Sequence, residues 1–178
     1  MSPEARAALL AIAFVLPSAA GQAQPASVPK TFADPTTGCK VWDAMPVEEE
    51  AITWSGGCKD GFAEGDGTLQ WFENGKPTAH YEGGYQAGKM EGRGVYSWAN
   101  GDRYEGEFKD DEFNGRGLYT WAAGERYEGA WVDGKPNGKG IKTERDGQVF
   151  SGTWINGCFK EGQRRAIAYT TAKACGFE

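Results

Sequence analysis

The chain has 178 residues, 27 of them glycine, and a formal net charge of −6. Glycine is at about twice its usual ~7% share, yet eight prolines without a Gly-X-Y period exclude collagen, and 13% aromatics exclude a disordered glycine-rich linker. The acidic balance argues against nucleic acid or a general anionic membrane surface as partner, and no apolar run reaches the ~20 residues of a membrane-spanning helix.

At the N-terminus, Arg6 precedes an apolar core from Ala7 to Leu16, followed by Pro17 and the small residues Ser18, Ala19, Ala20 and Gly21. A charged start, a short apolar core and small residues at the cut predict a secretory signal peptide over 1–23, cleaved after Ala20 or Ala23. A buried N-terminal helix is the weaker alternative, because Gln, Pro and Ser follow rather than an amphipathic pattern. The mature chain is then expected to be periplasmic or secreted, with no transmembrane segment left. Residues 24–51 read as a linker and N-terminal cap.

Four cysteines, Cys39, Cys58, Cys158 and Cys175, fit an oxidising compartment and allow three pairings. The local pairs Cys39–Cys58 and Cys158–Cys175 are favoured, because each sits at one end of the repeats described next. Each closes a loop of under about twenty residues, for which loop entropy suggests roughly 3 kcal/mol. A metal site is the rival, but there is no CxxC spacing and His80 is the only histidine. Neither a metal nor a cofactor is expected.

From Trp54 onward the chain repeats itself. Tyr81-Glu82-Gly83-Gly84-Tyr85 recurs as Tyr104-Glu105-Gly106-Glu107-Phe108, then Tyr127-Glu128-Gly129-Ala130-Trp131, then Phe150-Ser151-Gly152-Thr153-Trp154, each 23 residues after the last. The earlier copy at Trp54-Ser55-Gly56 is 27 residues long. Glycine returns seven residues after the leading ring at 61, 88, 134 and 157, whereas the copy starting at Tyr104 has Asp111 there. In all, 21 of the 27 glycines hold a fixed place in the unit. Val95-Tyr96-Ser97-Trp98 and Leu118-Tyr119-Thr120-Trp121 alternate as strands do, and Asn100-Gly101 and Asp146-Gly147 are two-residue hairpin turns. The ring-x-Gly-x-ring strands place a glycine between two same-face aromatics, leaving room for a neighbouring ring.

The unit from Tyr104 through Gly115, Gly117, Tyr119 and Trp121 to Gly124 resembles the MORN repeat, as do those beginning at Tyr81 and Tyr127. The resemblance covers residues 52–157, four to five units. It implies an all-β fold: an elongated, single-layer antiparallel sheet with one hairpin per repeat. Gly38-Cys39-x2-Trp42 with Trp54-Ser55-Gly56-Gly57-Cys58 resembles the N-terminal cap of exported bacterial MORN proteins, which supports the Cys39–Cys58 pairing. The copy at Phe150 departs from the pattern, with Glu161 in place of a glycine. Residues 158–178 are therefore expected to cap the sheet, with Arg164–Lys173 as a short helix ending before Gly176.

Catalytic chemistry finds little support. His80 is read as a solvated or capping side chain, and the cysteines as disulfides. Glu105 and Glu128 recur once per unit, which marks them as scaffold, paired across strands with Arg103 and Arg126. Glu48-Glu49-Glu50 and Asp110-Asp111-Glu112 are read as solvated charge runs, with calcium at the second as a minor option. The basic C-terminal end, with Lys160, Arg164, Arg165 and Lys173, is read as a solvated balance to the acidic body. The rings Trp71, Tyr85, Tyr96, Trp98, Tyr119, Trp121 and Trp131 either cover the sheet or stack on a ligand, and the first outweighs the second. The expected function is a non-catalytic, exported scaffold that binds a protein partner in the cell envelope. The alternative is a binder of phospholipid head groups or cell-wall glycan through the aromatic stripe.

Overall fold

The computed structural model of the protein describes residues 29–177; the signal peptide expected over 1–23 lies outside them. Within this span the chain forms fourteen strands that join into one open sheet. The N-terminal part supplies β1 (Lys30–Ala33), β2 (Lys40–Asp43), β3 (Glu50–Trp54) and β4 (Gly57–Lys59). The repeats supply β5 (Phe62–Glu73), β6 (Lys76–Gln86), β7 (Lys89–Trp98), β8 (Arg103–Lys109), β9 (Glu112–Thr120), β10 (Arg126–Val132), β11 (Lys135–Thr143) and β12 (Val149–Ile155). The sheet ends in β13 (Cys158–Glu161) and β14 (Arg164–Ile167). From β5 to β14 each strand pairs antiparallel with the next in sequence, and β2 joins β5 through a parallel pairing at Lys40 and Phe62.

The register explains the glycines. Gly67, Gly83, Gly94, Gly106, Gly117, Gly129, Gly140 and Gly152 are successive cross-strand partners, forming one row across β5 to β12. Beside it runs a second row: Leu69, Tyr81, Tyr96, Tyr104, Tyr119, Tyr127, Lys142 and Phe150. The ring of Tyr104 folds back over the glycine row, so that a Cβ at Gly117 or Gly106 would run into its phenol. Its hydroxyl then donates to the Glu107 carbonyl at 3.0 Å, beside a β-bulge that follows Gly106. Tyr81 and Tyr127 do the same with the Gly84 and Ala130 carbonyls. A bulge disrupts the ladder locally, and here the tyrosine hydroxyl bonds a carbonyl beside it. The same device repeats every 23 residues because the same residues do.

The core is therefore a layer of rings on one face of the sheet. Tyr104 and Phe113 stack with centroids 3.8 Å apart, and Trp131 and Trp154 bond their indole N–H groups to the Gly117 and Gly140 carbonyls. Two disulfides, Cys39–Cys58 and Cys158–Cys175, fasten the two ends.

The C-terminal helix expected over Arg164–Lys173 does not form. Arg164–Ile167 is a strand instead, paired with β13, and residues beyond it run in turns. Glu161-Gly162-Gln163 closes a hairpin, Gly162 taking φ +59°, and Ala166 and Ala168 alternate into the core as strand residues do. Cys175 N–H bonds the Thr171 and Ala172 carbonyls, Gly176 N–H bonds Lys173 and Phe177 N–H bonds Ala172, which makes tight turns with Gly176 at φ +64°. The expected cross-strand pairing of Arg103 also differs: its guanidinium meets Glu105, two residues along the same strand, at 2.7 Å. Both groups are exposed, so the pair adds little stability.

Candidate functional site

The hairpin turns at one end of the repeats stack on one another through the backbone. Gly88 N–H donates to the Ala63 carbonyl, Asp111 N–H to Met90, Gly134 N–H to Phe113 and Gly157 N–H to Pro136, all at 2.8–3.1 Å. Onto this ladder β2 is laid crosswise. Lys40 N–H donates to the Gly61 carbonyl and Trp42 N–H to the Gly88 carbonyl. The Trp42 ring lies flat on Phe62, centroids 5.9 Å apart and 11° from parallel.

Where β2 leaves the ladder it forms one wall of a groove of about 360 Å³. Trp42, Asp43, Ala44 and Met45 line that side, and Lys89, Asp110, Asp111 and Glu112 line the other. Trp71 and Met90, both buried, form the floor. Trp42 and Met45 keep 39% and 48% of their surface open to solvent, among several exposed large apolar side chains that include Ile141 and Ile155. Four carboxylates thus face apolar walls with a single ammonium, and Lys89 is held at 3.2 Å by Asp110.

Asp111 is the odd member. It occupies the second turn position, held by glycine at 61, 88, 134 and 157, and takes φ +73° directly after Asp110 at φ +50°. Such a type I′ turn favours glycine, because a side chain at positive φ crowds its own backbone. The carboxylate turns inward and accepts the Met90 N–H at 2.7 Å. Burial pushes its pKa up to about 7; the Met90 hydrogen bond and Lys89 oppose the rise, while Asp43 and Asp110 add to it. Burial also raises Glu112, with Asp133 and Asp110 reinforcing it.

At the far side of the N-terminal cap, Asp34 behaves oppositely. Burial would raise its pKa, but N–H groups of Trp54, Thr37 and Thr36 and the Thr37 hydroxyl all donate to it and hold it below the ordinary value. It is a structural carboxylate, tying the β1–β2 connection to β3.

The structure buries six of the seven rings singled out in the sequence: Trp71, Tyr85, Tyr96, Trp98, Tyr119 and Trp131. Trp121 is half-buried, packed on Tyr119 with the Lys142 ammonium 5.5 Å over its ring. Of the seven, Trp71 alone is among the residues lining the groove. Among the described residues, no group of three or more His, Cys, Asp or Glu is placed to hold a metal ion.

The MORN repeat model matches residues 81–103, 104–126 and 127–149. Residues 81–149 are MORN repeats. The matches start at Tyr81, Tyr104 and Tyr127, the rings that fold over the glycine row, and each ends after a hairpin. Outside these MORN units lie the 27-residue copy at Trp54, whose second strand carries Leu69 in the tyrosine row, and the copy at Phe150. No curated protein matches the chain.

The groove was missed in the sequence because its residues come from distant stretches: Pro29, 42–45, 71, 89–90 and 110–112. One signal was present: Asp111 breaks a glycine position otherwise filled in every unit. A charged residue taking a strained turn position points to a use for the charge.

Proposed function

We propose that the chain is an exported, non-catalytic scaffold that docks a protein partner in the cell envelope. MORN repeats are a repeat-based binding or scaffold module, and two disulfides suit an oxidising compartment. One observation carries the docking surface: the ring layer is consumed in holding the sheet together, whereas Trp42 and Met45 stand exposed beside the acidic groove. Thiol chemistry is closed to the chain in this form, since all four cysteines are bonded in pairs.

Photo-cross-linking in living cells from a benzophenone amino acid at Met45 tests the reading. A discrete protein adduct in the envelope fraction is expected, together with a mature N-terminus at Gly21 or Gln24. Adducts missing from position 45 and from the exposed Ile141 and Ile155 alike, or a chain recovered reduced in the cytosol, would overturn it. The alternative of a cell-wall glycan rests on the exposed Trp42 indole, a platform on which a sugar ring can stack. A phospholipid head group suits the groove less, because its phosphate would meet four carboxylates.

A further inference from the structure

We propose that the groove between β2 and the turns of β7 and β8 receives a lysine or arginine side chain from an extended basic segment of the protein partner. This rests on the scaffold reading and adds the chemistry of what is recognised. The walls come first: Trp42, Met45, Trp71 and Met90 offer apolar surface suited to the methylene stem of a long cationic side chain. The Trp42 face adds attraction for the charged head. The charge complementarity comes second: Asp43, Asp110, Asp111 and Glu112 border this surface, and Lys89 is already tied to Asp110. An acidic or phosphorylated segment would be repelled, and a purely apolar one would leave the carboxylates facing it without compensation.

Asp111 gives the site a pH dependence. It is faced by Asp43 from β2, by Lys89 and the Met90 N–H from β7, by Asp110 and Glu112 beside it, and by the Tyr81 and Tyr85 phenols of β6. With its pKa near 7 it carries a proton at pH 5.5 and is ionised at pH 8. A cationic side chain is therefore held more tightly at pH 8, and screening by salt weakens it.

The test is calorimetric titration of the disulfide-bonded protein with acetyl-(Ala-Lys)3-amide, its glutamate counterpart and cadaverine, at low salt. Saturable one-to-one binding of the lysine peptide is expected, about tenfold tighter than cadaverine and several-fold weaker at pH 5.5 than at pH 8. The glutamate peptide should give no heat. Asp111→Asn combined with Asp43→Asn should weaken the lysine peptide by about tenfold, and Trp42→Ala by several-fold. Circular dichroism melts confirm that each variant is folded. Equal binding by these variants, or by cadaverine, would overturn the proposal, as would no binding at all. Binding that appears only after residues 24–28 are removed would assign the groove to the chain's own N-terminal segment, and overturn it too. The Met45 cross-link reads the scaffold role separately: an adduct without peptide binding sinks the cationic chemistry alone.

Discussion

The two ends of the sheet close over the same ladder of turns in opposite ways. At the N-terminal end, β2 crosses the turns at Gly61 and Gly88 and stops, leaving a groove with Trp42 and Met45 exposed and four carboxylates lining it beside one lysine. At the C-terminal end, Ala168 N–H bonds the Gly157 carbonyl, and the chain turns to lay Tyr169 against Phe113, Tyr119 and Trp131, 5.1–5.7 Å between centroids. Charge is also settled there. Lys142 takes a tyrosine's place in the second row, but its ammonium bonds Glu144 and the Ile167 carbonyl, both at 2.8 Å. One end is filled by a ring of the tail; the other is open and lined by carboxylates. Repeats supply the face, and the caps decide which part of it stays open.

The sharpest way to break this comparison is to remove one tryptophan from each end. Trp154 is fully buried, with its N–H bonded to the Gly140 carbonyl, so Trp154→Ala should cost about 3–5 kcal/mol in urea unfolding. Trp42→Ala, at a site with substantial exposure, should cost under about 1 kcal/mol. Similar losses would mean that the N-terminal groove is core rather than surface. Next in size, Lys142→Met strands the Glu144 carboxylate and should destabilise by about 1–3 kcal/mol. The double change Lys142→Tyr with Glu144→Trp restores the pattern of Tyr96-Ser97-Trp98 and Tyr119-Thr120-Trp121, and should recover most of that loss. Failure to recover would show that Tyr169 and the tail demand the ion pair.

Asp34 fixes the N-terminal cap and makes it acid-sensitive. Its pKa is lower folded than unfolded, so its stabilisation is present above the ordinary carboxylate value and fades as pH falls through the folded one. Asp34→Asn should lose about 1–2 kcal/mol near neutrality and flatten stability below about pH 4. Hydrogen exchange should place that loss in β1–β3, with β12–β14 unaffected. Uniform loosening would show that the caps are not independent.

How far the sequence carries depends on whether a feature is local. The 23-residue period places the hairpins, the glycine row and the rings over it, since each unit contains its own instructions. The cysteine pairs were legible for the same reason: each closes a short loop. The C-terminal helix was misjudged because Arg164–Lys173 lacks the ring-x-Gly-x-ring pattern, while the decisive fact was pairing: Phe159 of β13 lies over Gly152, and β13 offers an edge for Arg164–Ile167. The ring stripe was visible, but whether it faced a ligand or the core was not. The rings bury one another across neighbouring strands, a contact that spacing along one strand does not show. The groove needed β2 to cross the turn ladder, a contact no period announces.

The smallest expected effect is the most specific to the open end. Asp111→Gly restores the turn residue of the other units and removes the strain of a side chain at φ +73°, worth about 1 kcal/mol. The Met90 N–H loses its acceptor, which offsets part of this gain. The balance should shift with pH in a direction set by linkage. Asp111's folded pKa is about 7 against an ordinary 3.8, so the folded state holds its proton more tightly. That stabilisation is complete below the unfolded value and disappears as pH rises through 7. Wild-type protein should therefore lose stability between pH 5 and pH 8 where Asp111→Gly does not, making the variant's advantage larger at pH 8. The same substitution at pH 8 should weaken the lysine peptide. A variant that gained stability without losing the peptide would show that Asp111 is a tolerated turn defect, and that the remaining three carboxylates make the groove.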